Sequence, residues 1–191
     1  MRSQLDWMRG FALALGKDSG QAAWTERHLS DMKEIFADRS AAEEQLKAED
    51  PLIYRFHELG APEEDGVLSF GITELMPGTV DGEYYMTKGH FHKKLMTSEV
   101  YLCLEGEGGM MLEDPEGDWR FVSMHPMEAV YVPRGYAHRS INTGKEVLRM
   151  FFCYAADAGH DYKTIETKGY RHLVCDKDGA PEIRRNPRWK E

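Results

Sequence analysis

The amino-acid sequence predicts an all-β fold, a barrel or a sandwich, with short helices at its start. Three observations carry this. Short apolar runs, several alternating with small polar residues, recur from Pro51 to Tyr154. Turn residues separate them at even spacing. Helix-start signals are confined to the first fifty residues.

Residues 1–30 show no clear periodicity and are expected to drape over the barrel or across a partner subunit. Asp31 with Glu34, and Ser40 with Glu43, match the pattern of a small polar cap followed three positions on by Glu. They predict helices over 31–37 and 40–49, ended before Pro51. Strands are predicted over 53–59, 68–73, 84–87, 99–104, 109–112, 119–123, 129–132, 138–141 and 147–154. In 68–73 the apolar residues alternate with small polar ones, as on a half-buried strand. The breaks hold Pro77-Gly78, Asp81-Gly82, Pro115-Glu116-Gly117-Asp118, Pro133-Arg134-Gly135 and Asn142-Thr143-Gly144. The tail from Lys177 is charged and is expected to be solvated or to bridge subunits. This divides the chain into an extension, 1–50, packed on the barrel or on a partner, and a barrel with its tail, 51–191.

The 191 residues suit one domain with its own core. Thirty-three acidic against 24 basic residues give a net charge of -9, so nucleic acid is not an expected partner. A small anion remains compatible, because local donors in a pocket outweigh the overall field. Three widely spaced cysteines argue against a disulfide framework and for a reducing compartment. Cys103 and Cys153 fall in apolar runs and read as core. The apolar run 11–15 is too short for a signal segment and is followed by Lys17-Asp18. No stretch has the roughly 18–20 apolar residues of a membrane helix, so a soluble cytoplasmic protein is expected. The methionines, Met86, Met110, Met111 and Met150 among them, read as core and interface filler.

His90-Phe91-His92 is an H-x-H pair in a strand or strand end, where alternation sends both imidazoles to one face. Glu99 opens the next strand-like run, and His138 follows the turn Pro133-Arg134-Gly135. Three imidazoles and a carboxylate suit a first-row metal. An isolated H-x-H also occurs as two unrelated histidines; the surroundings distinguish the cases. Gly106 stands seven residues after Glu99, and Asn142 four after His138.

This arrangement is similar to the two signature motifs of the cupin superfamily. The first, H-x-H then Glu then Gly, is matched by His90, His92, Glu99 and Gly106; the second, P-x-G-x-x-H-x-x-x-N, by Pro133, Gly135, His138 and Asn142. There are two departures. Six residues separate His92 from Glu99, where typical cupins have three or four, and Met127 stands where a glycine is expected before the second motif. The long gap points to a narrower group. Thr87-Lys88-Gly89-His90-Phe91-His92-Lys93-Lys94, Glu99-Val100-Tyr101 and the run from Ala155 to Tyr162 closely resemble the cupin-type glucose-6-phosphate isomerases, known chiefly from archaea. So do Leu29-Ser30-Asp31-Met32, Asp50-Pro51 with Tyr54, and Asn186-Pro187-Arg188-Trp189. The likeness covers roughly residues 28 to 190.

The resemblance implies a jelly-roll (double-stranded β-helix) barrel. It implies an aldose–ketose isomerase of glycolysis and gluconeogenesis that interconverts glucose 6-phosphate and fructose 6-phosphate. The expected ligands of one divalent metal per subunit are His90, His92, Glu99 and His138. Fe(II) is favoured, and Mn(II), Ni(II) or Zn(II) are compatible. Glu99 is the expected proton carrier, though plain ligation with a direct hydride shift stays open. Tyr101, two residues on, faces the same side of its strand. By resemblance Tyr54, Thr73, Thr87, Lys88 and Gly89 bind the phosphate, Tyr154 and Tyr162 complete the pocket, and His160 assists ring opening. Packing alone would account for Tyr54 and Thr73, and a loop position for His160. A homodimer is expected. Two other readings stay open: another metal-dependent cupin enzyme, either a sugar isomerase or epimerase or a dioxygenase, which would consume oxygen, and a non-catalytic sugar-binding cupin. Neither a helix-turn-helix pattern nor a basic stretch is present to support a regulatory role.

Overall fold

The computed structural model describes residues 24–58 and 61–189. The segment 1–23, with its apolar run, position 59 of the first predicted strand and the last two residues of the tail lie outside the described residues. The chain opens with β1 (Thr25–His28), α1 (Leu29–Met32), α2 (Arg39–Leu46) and β2 (Leu52–Glu58). The barrel strands follow as β3 (Leu68–Leu75), β4 (Thr79–Val80), β5 (Glu83–Tyr84), β6 (Phe91–His92), β7 (Glu99–Glu105) and β8 (Gly108–Glu113). Then come β9 (Trp119–Met124), β10 (Ala129–Val132), β11 (Ala137–Asn142), β12 (Leu148–Ala155) and β13 (His160–Asp161). The chain closes with α3 (Lys163–Lys168), β14 (His172–Lys177) and β15 (Ala180–Arg185).

The all-β barrel is observed. One sheet runs β1-β2-β3-β12-β7-β10, with every pairing antiparallel. Facing it are β11-β8-β9 and the smaller sheets β13-β6 and β15-β14-β5-β4. Bridges Met86 to Ile141 and His90 to His138 lay residues 86–90 along β11 and close the second face. Strand alternation grades the interior. At one end Leu75, Cys103, Leu148 and Met150 are fully buried and apolar; at the other, Ser69, Glu99 and Tyr154 turn inward. That gradient places polar chemistry at the mouth of an apolar plug.

Both predicted helices shift toward the N-terminus. Asp31 is not a cap but lies inside α1, where its carboxylate accepts the His28 backbone N–H at 3.0 Å. Asp38, not Ser40, caps α2, accepting the Ala41 N–H at 2.9 Å. An aspartate two residues upstream captured the free N–H first. The predicted strand 84–87 is paired only at its start, as β5, before crossing to β11. The predicted tail instead forms a hairpin, β14 with β15, whose outer strand is largely exposed. Cys103 is buried as expected, whereas Cys153 points to the outer sheet face and is half-buried; all three cysteines are free. Among the described residues no helix is long and apolar enough to cross a membrane.

Two motif residues show their roles directly. Asn142 donates to the carbonyls of Leu75 and Glu146 at 2.8 Å each and accepts the Gly144 N–H at 2.9 Å, tying the β11–β12 turn to β3. Met127 adopts φ +70° and is 78% exposed. The left-handed turn that the motif's glycine would make is thus kept by a methionine, at a cost of about 1 kcal/mol.

Glu83 is buried in β5, with one carboxylate oxygen accepting the Ala37 N–H at 2.8 Å and the other unpartnered. Burial pushes its carboxyl up to about 7, against the Ala37 hydrogen bond and the charges of Arg139 and Arg188. Because the folded value is raised, its contribution to stability is fully present below the ordinary carboxylate range and is lost as pH rises toward neutrality. Glu83→Gln should therefore be more stable than the parent, by about 3 kcal/mol at pH 8 and by much less at pH 5. Thermal melts at the two pH values test this; a gain that does not grow with pH would rule out the buried carboxylate charge as its source.

Candidate metal centre

His90 and His138 face each other across an antiparallel bridge, exchanging backbone hydrogen bonds at 3.2 and 3.1 Å. Their rings come to 4.4 Å between centroids, and His92, two residues on, follows on the same face at 5.6 Å from His90. Glu99 opens β7, paired with Tyr154 on one side and Val132 on the other. One ligand atom from each of His90, His92, Glu99 and His138 lies within 4.8 Å of all the others. The sequence-predicted ligand set is assembled.

The donor chemistry fits a cation. Thr97 gives its hydroxyl hydrogen to the Lys94 carbonyl at 2.7 Å, so at 2.8 Å from His92 Nδ1 its oxygen accepts. That fixes the proton on Nδ1 and bares Nε2, the pattern of an oriented metal ligand. Bare Nε2 stands 3.1 Å from Glu99 Oε2, two electron pairs facing one another unless a cation sits between. His138 Nε2 lies 2.9 Å from the same oxygen, and neither it nor buried His90 Nε2 has a hydrogen-bond partner. Buried polar atoms are rarely left this way. Burial, helped by His138, holds His90 well below its ordinary value, so it is neutral and able to ligate. Burial alone would raise Glu99, but His138 beside it outweighs this and holds the carboxyl below its usual range. These four side chains would hold the metal.

The six residues between His92 and Glu99 supply more than Thr97. Lys93 and Lys94 donate their backbone N–H groups to Gly159 and Ala158 at 3.2 and 2.9 Å, and the Lys94 ammonium reaches Asp157 at 2.6 Å. His160 pairs with His92 in β13–β6, and its ring packs edge-on against His90 at 4.4 Å. The longer gap thereby holds the 155–162 segment over the ligands.

Beside the ligands lies a cavity of about 190 Å³. Tyr54, Thr73, Thr87, Lys88, Gly89, Tyr101, Tyr154, His160 and Tyr162 all line it. Thr87 Oγ accepts the Ser140 N–H at 3.0 Å and keeps its own hydrogen to donate. The Lys88 ammonium turns to Glu166 at 2.9 Å, over the Tyr162 ring. Burial, then the charge of Glu99, pushes the Tyr101 phenol well up, so it stays protonated against that carboxylate. Burial lowers His160, leaving a neutral imidazole.

Phe56, Glu58, Ser140 and Phe152 also line the cavity but were not anticipated. Alternation from Tyr54, His138 and Tyr154 reaches each of them and was the available signal. Glu58 matters chemically: it accepts the hydroxyls of Ser69, at 2.6 Å, and of Tyr154.

The family model described as glucose-6-phosphate isomerase matches residues 26–189. The chain is 46% identical over 165 residues to the glucose-6-phosphate isomerase of Pyrococcus furiosus, covering 86% of this chain and 87% of that one. It is 40% identical over 188 residues to that of Thermococcus gammatolerans, covering 97% and 99%. Among solved structures it resembles an oxalate oxidase in complex with glycolate, at 14% identity and TM-score 0.49 over 84% of this chain and 65% of that one.

Proposed function

Because this chain belongs to the glucose-6-phosphate isomerase family, we propose that it interconverts glucose 6-phosphate and fructose 6-phosphate in the cavity beside His90, His92, Glu99 and His138. One observation supports this most: three of the four ligand-ready side chains, His90, Glu99 and His138, line one cavity together with the Thr87–Gly89 turn. An isomerase must hold an anionic tail and two adjacent oxygens at once, and these two features meet that need.

His90, His92, Glu99 and His138 would hold a divalent ion, Fe(II) favoured, which would supply Lewis acidity toward the sugar. The rest is the chain's own work. Thr87, Gly89, Tyr54, Thr73 and Lys88 receive the phosphate. Neutral His160 takes the anomeric hydroxyl proton and returns it to the ring oxygen, opening the ring. Ionised Glu99 takes the proton from C2 of the open aldose and returns it to C1 while a proton passes from O2 to O1, so atoms and electrons balance. Tyr101, protonated beside Glu99, orients the carboxylate. Glu58 holds the Tyr154 hydroxyl in place.

We further propose a homodimer, supported by the exposed apolar side chains Val100 and Tyr131, neighbours on the outer face of the main sheet. Free cysteines fit the reducing cytoplasm.

Purified protein assayed with fructose 6-phosphate, with chelation and metal add-back, tests the reading. Turnover should vanish on chelation, return with a divalent ion and need no oxygen; oxygen consumption or chelator-resistant turnover would refute it. Light scattering on the same sample should give twice the chain mass.

A further inference from the structure

We propose that Arg139 is a positioning residue for the phosphate subsite, and that the counter-charge it lacks is the phosphoryl dianion of the substrate. This rests on the reading of Thr87, Lys88 and Gly89 as phosphate donors. Arg139 follows His138 in β11, so the pleat turns its side chain to the opposite face, behind the wall that carries the ligands. It is only 3% exposed. A guanidinium stays charged, and a buried charge is costly unless it is compensated.

Its partners are neutral. Nη2 donates to the Lys88 carbonyl at 2.9 Å, the guanidinium lies 4.2 Å from the Tyr170 ring centroid, and Nε has no partner. Among the described residues no carboxylate forms an ion pair with it, although Glu83 and Glu113 act on it at longer range. Glu113 is turned to the backbone N–H groups of Arg171 and His172, at 2.8 Å each. Glu83, raised to about 7, carries only part of a charge at neutral pH.

The hydrogen bond to Lys88 has a directional consequence. In a planar trans peptide the carbonyl and the next N–H point to opposite sides. With the Lys88 carbonyl drawn back toward Arg139, the Gly89 N–H is aimed the other way, toward the cavity that Gly89 lines. Tyr170 fixes the turn from behind: a Cβ at Gly89, whose φ is +76°, would stand 2.6 Å from the Tyr170 hydroxyl. Arg139 thus aims the donor, strengthens it by polarising the peptide and adds positive potential where a dianion binds. A ligand without a phosphate gains nothing from this.

The test compares inhibition of the metal-loaded enzyme by glucitol 6-phosphate and by glucitol, a pair differing only in the phosphate. Arg139→Met should weaken glucitol 6-phosphate about tenfold, the scale of one charge acting through a low-dielectric wall, and should raise KM for fructose 6-phosphate. The inhibition constant of glucitol, kcat per bound metal and metal content should stay near those of the parent. Arg139→Lys, which keeps the charge, should bind glucitol 6-phosphate more tightly than Arg139→Gln, and this contrast stands if the methionine variant does not fold. Equal weakening of both inhibitors, or Gln binding as well as Lys, would overturn the proposal. A parent enzyme that binds the two inhibitors alike would instead overturn the phosphate-turn reading, and this inference with it.

Discussion

His138→Ala should empty the metal site and abolish turnover while leaving the barrel folded. His138 is almost completely buried, and its two ring nitrogens lack hydrogen-bond partners. Removing the ring therefore breaks no hydrogen bond that holds the fold. What it removes is one of four convergent donors, and Glu99 Oε2 loses the imidazole 2.9 Å away. Loss of an outer partner of a metal ligand costs about 10–100-fold in affinity, so loss of a ligand should exceed that. Elemental analysis after gel filtration should fall from about one metal per chain to near none. The melting temperature of the metal-free protein should change little. His92→Ala should behave alike, with the further loss of the tie to Thr97. Full metal occupancy in either variant would sink the ligand assignment.

Glu99→Gln separates ligation from proton transfer. The amide keeps the size of the side chain and one oxygen but carries no negative charge and accepts no proton at catalytic strength. The three imidazoles can still hold metal at reduced affinity, so turnover is to be compared per bound metal at saturating metal. A loss of about 10²-fold or more is expected, the usual scale for a missing general base. Turnover per metal near that of the parent would remove Glu99 as the base and put a direct hydride shift ahead. Isomerisation in heavy water gives the second readout. A proton held on Glu99 exchanges with solvent to some degree, so deuterium should enter the product, whereas a direct shift admits none. Retained hydrogen alone does not decide, since a shielded carboxylate can return the proton it took. Loss of turnover together with exchange would establish the role.

The metal ligands were legible because motif spacing and strand alternation are local properties. His90, His92, Glu99 and His138 were picked out by the spacing they share with the cupin motifs, and strand alternation set the H-x-H pair on one face. The long strands were legible for the same reason. The two-residue strands β4 and β13 were not, since such strands are defined by their partners rather than by any pattern of their own. β1 was missed because its pairing with β2 is set by the fold and not by its polar sequence, Thr25 to His28. The closing hairpin carried a signal, Asp178-Gly179 between β14 and β15, but the surrounding charge read as a tail. Glu58 was passed over because a glutamate at a strand end ordinarily faces water. Its inward turn depends on Tyr154, 96 residues away.

The ties that the six-residue gap makes to the pocket rim unite two distant stretches of chain in one opening event. Segments 93–97 and 157–160 share two backbone hydrogen bonds and the Lys94–Asp157 pair, and the first of them also holds the outer nitrogen of His92. Local unfolding of either stretch would expose the other and release His92, so their amides belong to a single exchange unit. Occupancy of the metal centre stabilises that closed unit by mass action, raising the free energy of opening with the logarithm of metal concentration. The lid over the pocket and the affinity of the centre are, in this sense, one thermodynamic quantity.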